Sequence, residues 1–258
     1  MNDINNGKIK IVIPARYGSS RLPGKPLLLL CGKPIFWHVF QRAVEAGVGT
    51  EDIVVATDDD RIFSEAAHLS IPCVMTNKDH ASGTDRLNEV ATQLNWDDAT
   101  LVINVQGDEP LIPSALIRQL ISFTLDNRQF DITTAISPIH CMDDVANPNI
   151  VKVAMGEYSR AVYFSRSAIP FNRDQPQSID SIFRHIGIYA YSVKSLRQFC
   201  QYSESALEHM EKLEQLRALS NGLSIGATIV EQAPPHGIDT EQDYLNVKTI
   251  MENEHVSN

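Results

Sequence analysis

The sequence predicts an α/β protein with a largely parallel sheet and, in its second half, an embedded strand-rich subdomain. Three observations predict it. Short apolar runs rich in β-branched residues alternate with amphipathic stretches of helical period through the first half. The second half carries four strand-like runs with few intervening helices. No linker of low complexity separates the halves, so one domain is expected over residues 8–250. Within it, the sequence divides into halves at 8–128 and 129–250.

IKIVIPA is the first strand, from about Ile9 to Ile13, and proline ends it. A long loop follows. Pro34 suits the first turn of a helix, where its missing N–H is no loss, and IFWHVFQRAVEAG continues that helix to Gly47. DIVVAT is a second buried strand. DDDRIFSEAAHL is a helix with acids at its N-terminal end, where the macrodipole favours them. PCVMT is a third strand, GTDRLNEVATQL a helix and TLVINVQG a fourth strand. Strands and helices alternating at this spacing imply parallel pairing. DITTAISPI, IVKVAM, RAVYFSR and RHIGIYAYS then read as an antiparallel insertion. SALEHMEKLEQLRALSNG returns to helical period, SIGATIVE is a last strand and TEQDYLNVKTIMEN a terminal helix.

Composition excludes several classes. The chain has 258 residues, a formal charge of -10 and 43% hydrophobic residues, an ordinary globular balance. An acidic body without a broad basic face argues against nucleic acid as a partner. Cys31, Cys73, Cys141 and Cys200 form no C-x-x-C pair, so neither a zinc site nor a secreted disulfide framework is expected, and the thiols point to the cytoplasm. The longest purely apolar run, Leu27–Cys31, is too short to span a bilayer.

Against this acidic background one stretch stands out. IPARYGSSRLPGKPLLLLCGKP, from Ile13 to Pro34, holds Arg16, Arg21, Lys25 and Lys33 and no acid. A local basic loop points to a small anionic ligand. It is not a P-loop: five residues separate Gly18 from Gly24, and Pro26 follows Lys25 where a hydroxyl residue is needed. The G-x-G-x-x-G fingerprint is absent too. Backbone N–H groups near Gly18 and Ser19, with the charges of Arg16 and Lys25, suit phosphate. In such sheets ligands bind outside the carboxyl ends of the strands. The loops after Ile13, Thr57, Thr76 and Val105 fall there, carrying Arg16 and Lys25, Asp58 and Asp59, HASGTDR, and QGDEP.

These motifs, with VATDDDRI, NPNIVKV, YFSRSAIPF, RHIGIYAY, MEKLEQLRAL and GIDTEQD in the same order, resemble the 3-deoxy-manno-octulosonate (Kdo) cytidylyltransferase family from about Ile11 to Asp243. The resemblance implies a Rossmann-like nucleotidyltransferase fold, a homodimer and an Mg²⁺-dependent reaction of CTP with Kdo for lipopolysaccharide synthesis. It also implies roles. Ala15, Arg16 and Lys25 would serve the nucleotide and its triphosphate, with Ser82, Gly83, Thr84 and Arg86 at cytosine and ribose. Asp108 and Asp239 would be the metal ligands. Gln106, Arg166, Arg184, His185, Tyr189, Glu214 and Gln215 would form the sugar-acid pocket, where a guanidinium suits the carboxylate. Structural readings stand beside these: Asp58–Asp60 as helix-start acids, Asp239 as an N-cap, Glu214 on a solvated helix face, His185 as a satisfied strand histidine. Two rival functions also stand. One is the same reaction on the 8-amino analogue or another sugar acid; the other is a non-catalytic nucleotide-binding regulator.

Overall fold

The computed structural model describes residues 9–18, 21–80 and 82–256. In chain order the elements are β1 (Ile9–Ala15), α1 (Ile35–Glu45), β2 (Ile53–Thr57), α2 (Asp60–His68), β3 (Cys73–Met75), α3 (Gly83–Gln93), β4 (Leu101–Asn104), α4 (Ser114–Asp126), β5 (Ile132–Pro138), α5 (Met142–Ala146), β6 (Lys152–Met155), β7 (Arg160–Ser165), β8 (Phe183–Ser192), α6 (Val193–Cys200), α7 (Ala206–Glu211), α8 (Gln215–Ser220), β9 (Ile225–Ile229) and α9 (Glu241–Val256). They form two compact units, one of residues to Arg118 with those from Pro234 onward, the other of Gln119–Ala233.

The first unit is built on a four-stranded sheet in the order β3-β2-β1-β4. Every pairing in it is parallel. Ile11, Val12 and Ile13 of β1 have no exposed surface, as expected of a parallel strand covered on both faces. Each such side chain contributes roughly 1.5–3 kcal/mol on burial. In α1 the buried residues Ile35, Phe36, Val39, Phe40 and Ala43 make one helical stripe. The terminal helix α9 belongs to this unit, because Val247 and Met251, one turn apart, close an apolar cluster with Leu30, Ile35 and Ile238. A division at residue 128 thus differs from the observed one: the chain leaves the first unit near Arg118 and returns at Pro234.

The second unit holds the other five strands, in the order β8-β5-β9-β7-β6. Only β9–β5 is parallel; β8–β5, β9–β7 and β6–β7 are antiparallel. Phe183 and Arg184 of β8 also pair with Val153 and Lys152 of β6, returning the last strand of the order to the first. The β8–β5 register shifts between Ile186 and Tyr189. Thr134 sits at that irregularity, its hydroxyl 3.1 Å from Ile186 O and 2.7 Å from Ile188 O.

Three helices, α4, α5 and α6, are not among the helices read from the sequence. In α4 the buried positions Leu116, Ile117, Leu120 and Ile121 repeat at helical spacing. In α6 the Ser192 hydroxyl accepts from Ser195 N and caps the helix.

Candidate active site

In the first unit the strand order reverses between β1 and β4, and ligand sites of open α/β sheets form in the crevice at such a point. The loop after β4 packs against the end of β1 itself. Val105 N donates to Val12 O at 3.1 Å. A side-chain carbon on Gly107 would fall 2.3 Å from Pro14 O, so only glycine permits this approach. A cavity of about 290 Å³ opens here, lined by Ala15, Arg16, Gly18, Arg21, Lys25, Gly83, Gln106, Gly107, Asp108 and Asp239 among others.

The basic loop places Lys25 by folding back on itself. Gly24 takes a left-handed conformation (φ 70°) that starts a short 3₁₀ turn at Lys25, and Gly24 N donates to Tyr17 O at 3.0 Å. Lys25 is 9% exposed. Its Nζ donates to Asp108 Oδ2 at 2.6 Å, to Ile238 O at 2.6 Å and to Asp239 Oδ1 at 3.4 Å. Residues 83 and 214 positions away thus meet at one ammonium. Arg21, to which the sequence reading gave no role, pairs with Asp239 Oδ2 at 3.2 Å. Arg16 is exposed at the cavity wall. Ser19 lies outside the described residues.

Asp239 does not cap α9. Asp243 accepts from Asp239 N, Thr240 N and the Thr240 hydroxyl, and Asp243 N donates to Thr240 Oγ1. Those bonds hold the Asp243 carboxyl below its usual range against the opposing effect of burial, the largest single influence on it. The Asp239 carboxylate is left to Lys25 and Arg21. Glu109, beside Asp108, is pushed up to about 8 by burial and then by the Asp108 charge.

HASGTDR divides by role. Gly83 lines the cavity. Ser82 caps α3, its hydroxyl accepting from Asp85 N at 3.2 Å, and Thr84 is buried. Arg86 braces the neighbouring loops. It has no exposed surface; Nη2 donates to Asp58 Oδ2 at 2.8 Å and Nη1 to the Thr76 hydroxyl. It ties the ends of β2 and β3 together. Asp59 is the cap of α2 and makes a fork with Arg61 at 2.8 Å on both oxygens, which holds its carboxyl below the usual range. The Arg61 guanidinium in turn lies 3.3 Å over the Tyr17 ring. The acidic triplet is therefore structural at Asp58 and Asp59.

In the second unit the predicted sugar-acid residues do not all share a face. His185 and Arg184 are consecutive in β8, so their side chains leave opposite sides. The His185 ring meets Phe164 at 5.1 Å and Tyr189 at 5.2 Å. Arg184 instead lines a separate cavity of about 380 Å³ with Pro138, Ile139, His140, Asp144 and Gln232. Burial pulls its guanidinium below its ordinary value, partly offset by Asp144. Arg184 and His185 thus face different surroundings, a consequence of strand alternation.

His185 is held neutral: burial pushes it down to about 3. Its Nε2 lies 2.9 Å from Thr134 Oγ1. The one Thr134 hydroxyl proton is claimed by a carbonyl, Ile188 O being nearer, so Nε2–H is the donor and Nδ1 keeps its lone pair. Tyr189 is raised well above its ordinary value by burial, then by Tyr191 and Glu214. Glu214 stands at the N-cap position of α8 and lies 3.9 Å from Arg217. Gln215 is 8% exposed and its side-chain Nε2 has no partner among the described residues, a buried donor that points to a ligand or water. Arg166 is anchored by Nε to Glu211 O at 2.7 Å and by Nη1 to Pro148 O at 2.9 Å. Among the described residues no helix is long and apolar enough to cross a membrane.

Comparison with known proteins agrees with this geometry. The Cytidylyltransferase family model matches residues 10–225. A 3-deoxy-manno-octulosonate cytidylyltransferase of Methylococcus capsulatus is 47% identical over 240 residues, covering 90% of this chain and 93% of that protein. One from Alteromonas mediterranea is 48% identical over 239 residues, covering 90% and 95%. The solved structure of a CMP:2-keto-3-deoxy-manno-octonic acid synthetase complexed with CTP superposes with a TM-score of 0.88 at 41% identity, covering 96% of this chain and 99% of that one. A cytidylyltransferase from Leptospira borgpetersenii shares the fold alone, with a TM-score of 0.62 at 18% identity, covering 95% of this chain and 87% of that one. With the order of motifs, the converging loops and these matches on the page, the chain belongs to the 3-deoxy-manno-octulosonate cytidylyltransferase family.

Proposed function

We propose that this chain transfers the cytidylyl group of CTP to the anomeric hydroxyl of Kdo, giving CMP-Kdo and pyrophosphate. The observation that carries the reading is the meeting of Lys25, Asp108 and Asp239 where the strand order reverses, in a chain of this family. The anomeric oxygen attacks the α-phosphorus, and the bond from that phosphorus to the pyrophosphate bridge breaks. Catalysis of this kind rests on alignment and charge neutralisation. Lys25 and Arg16 neutralise phosphate oxygens. Ala15, Ser82, Gly83 and Thr84 border the nucleoside, where small side chains let backbone groups approach a base edge. Gln106, Arg166, His185, Tyr189, Glu214 and Gln215 serve the sugar acid, Arg166 taking its carboxylate.

Asp108 and Asp239 suit a divalent cation. Two carboxylates that reach one ammonium also reach one hard cation. Among the described residues no group of three or more His, Cys, Asp or Glu side chains is arranged to hold a metal. That donor set fits Mg²⁺, which binds one or two carboxylates and takes its remaining ligands from water and substrate phosphate. When bound, Mg²⁺ supplies Lewis-acid polarisation of phosphoryl oxygens. The reading also includes a homodimer, supported by the exposed apolar residues Tyr158, Val162 and Phe171 of the second unit, and a cytoplasmic enzyme of lipopolysaccharide synthesis, supported by four free cysteines.

Pyrophosphate release measured with CTP or UTP, against Kdo, its 8-amino analogue and no acceptor, tests the reading. Release that needs both CTP and Kdo supports it. Release only with the analogue moves the substrate, and none with any acceptor overturns catalysis in favour of a nucleotide-binding role.

A further inference from the structure

Lys152 has no exposed surface. Its ammonium has three protons, and all three meet backbone carbonyls: Asn147 O at 2.8 Å, Ile150 O at 2.7 Å and Arg166 O at 2.7 Å. Burial, and then the nearby Arg166 guanidinium, pull this lysine below its ordinary range. A buried charge of this kind is costly, and an apolar side chain of similar length would fill the space more cheaply. What the ammonium does that an apolar chain cannot is join two segments, the 147–150 turn before β6 and the end of β7.

Both segments serve Arg166. The turn supplies Pro148 O, which accepts from Arg166 Nη1. On the other side Glu211 O accepts from Nε, while the Glu211 carboxylate accepts from Arg166 N at 2.9 Å and from the Ser165 hydroxyl at 2.6 Å. Lys152 thus fixes the main chain of the arginine and the turn that carries one of its acceptors. With Nε and Nη1 anchored the guanidinium cannot swing, and its Nη2 corner, without a protein partner among the described residues, is presented in one orientation. An arginine anchored in advance loses little freedom when it binds an anion.

We propose that Lys152 is a positioning residue for substrate recognition: its three-carbonyl cage holds Arg166 with the Nη2 corner aimed at the carboxylate of the sugar acid. This rests on the reading of Arg166 given above. It predicts that a residue with no access to ligand controls the affinity for one substrate and not for the other.

The test is steady-state kinetics of the full-length enzyme with each substrate varied in turn, on Lys152→Met, Arg166→Ala and the double variant, with urea unfolding to confirm folding. Lys152→Met should raise KM for Kdo about tenfold, the scale of one weakened charge-assisted contact, with KM for CTP within about twofold. Arg166→Ala should raise KM for Kdo at least as much. In the double variant the two effects should not add, since they act through one contact. If Arg166→Ala raises KM for Kdo and a folded Lys152→Met does not, the positioning role is overturned and the arginine reading survives. If Arg166→Ala leaves KM for Kdo unchanged, the reading beneath the proposal fails with it. Should Lys152→Met not fold, Lys152→Gln, which keeps two donors, makes the same comparison: a raised KM for Kdo supports the role and an unchanged one overturns it.

Discussion

Lys25 and Asp108, 83 positions apart, share a charge-assisted hydrogen bond of 2.6 Å, and the same ammonium reaches Asp239. An ammonium there and a divalent cation draw on the same oxygens. Lys25→Met should therefore act in opposite directions on two ligands. KM for CTP should rise at least tenfold, because a phosphate partner is lost. Mn²⁺ bound without nucleotide, read by electron paramagnetic resonance of the free ion, should bind severalfold more tightly. Weaker Mn²⁺ binding would mean that the lysine organises the carboxylates and does not compete for them.

Asp108→Asn and Asp239→Asn should each lower turnover at least about a hundredfold, equivalent to roughly 2.7 kcal/mol of transition-state stabilisation. Neither should unfold the protein. Asp239 leaves the capping of α9 to Thr240 and Asp243, so its loss should shift the urea midpoint little. EDTA should abolish activity and added Mg²⁺ restore it. Full activity in a thoroughly chelated sample would remove the cation from the proposal.

Arg86→Ala should register first as a loss of stability. The variant leaves the Asp58 carboxylate, 14% exposed, without its partner, and breaking a buried pair costs about 3–5 kcal/mol. Denaturant titration should show this loss in the absence of any ligand. If stability is unchanged and only CTP binding weakens, Arg86 contacts the nucleotide after all.

His185 sets an acid limit. Its folded value of about 3 lies below the ordinary value of 6.5, so between these the unfolded chain binds the proton and the folded protein does not. Stability from keeping this ring neutral is complete above about pH 6.5 and falls as the pH drops toward 3. Between pH 7 and pH 5 the wild type should lose about 2 kcal/mol more than His185→Gln. Equal losses in urea titrations at the two pH values would show that the ring protonates freely in the fold.

The parallel half was legible because most of its strands are local signals: β-branched runs closed by Pro, Asp or Gly. That Lys25 and Asp108 meet was legible too, since ends of parallel strands share one rim; Asp239 joined them through the family resemblance. Side-chain direction in the second unit was not. Whether Arg184 or His185 faces a given cavity depends on the pairing of β8 with β5 and β6, contacts that lie tens of residues away in sequence. Burial of Arg86 was equally hidden, because its partners Asp58 and Thr76 come from two other loops. The helix α4 follows a Pro-rich turn that masks its start, although its apolar period is regular.

Ile238 O and the Asp239 carboxylate complete the coordination of Lys25, yet both lie beyond residue 225, where the family match ends. During synthesis these two acceptors follow the lysine loop by more than two hundred residues, whereas Asp108 follows it by 83. A nascent chain can fold its first parallel strands long before it can order that lysine. The charge centre around Lys25 is thus complete only once residues 238 and 239 have been made.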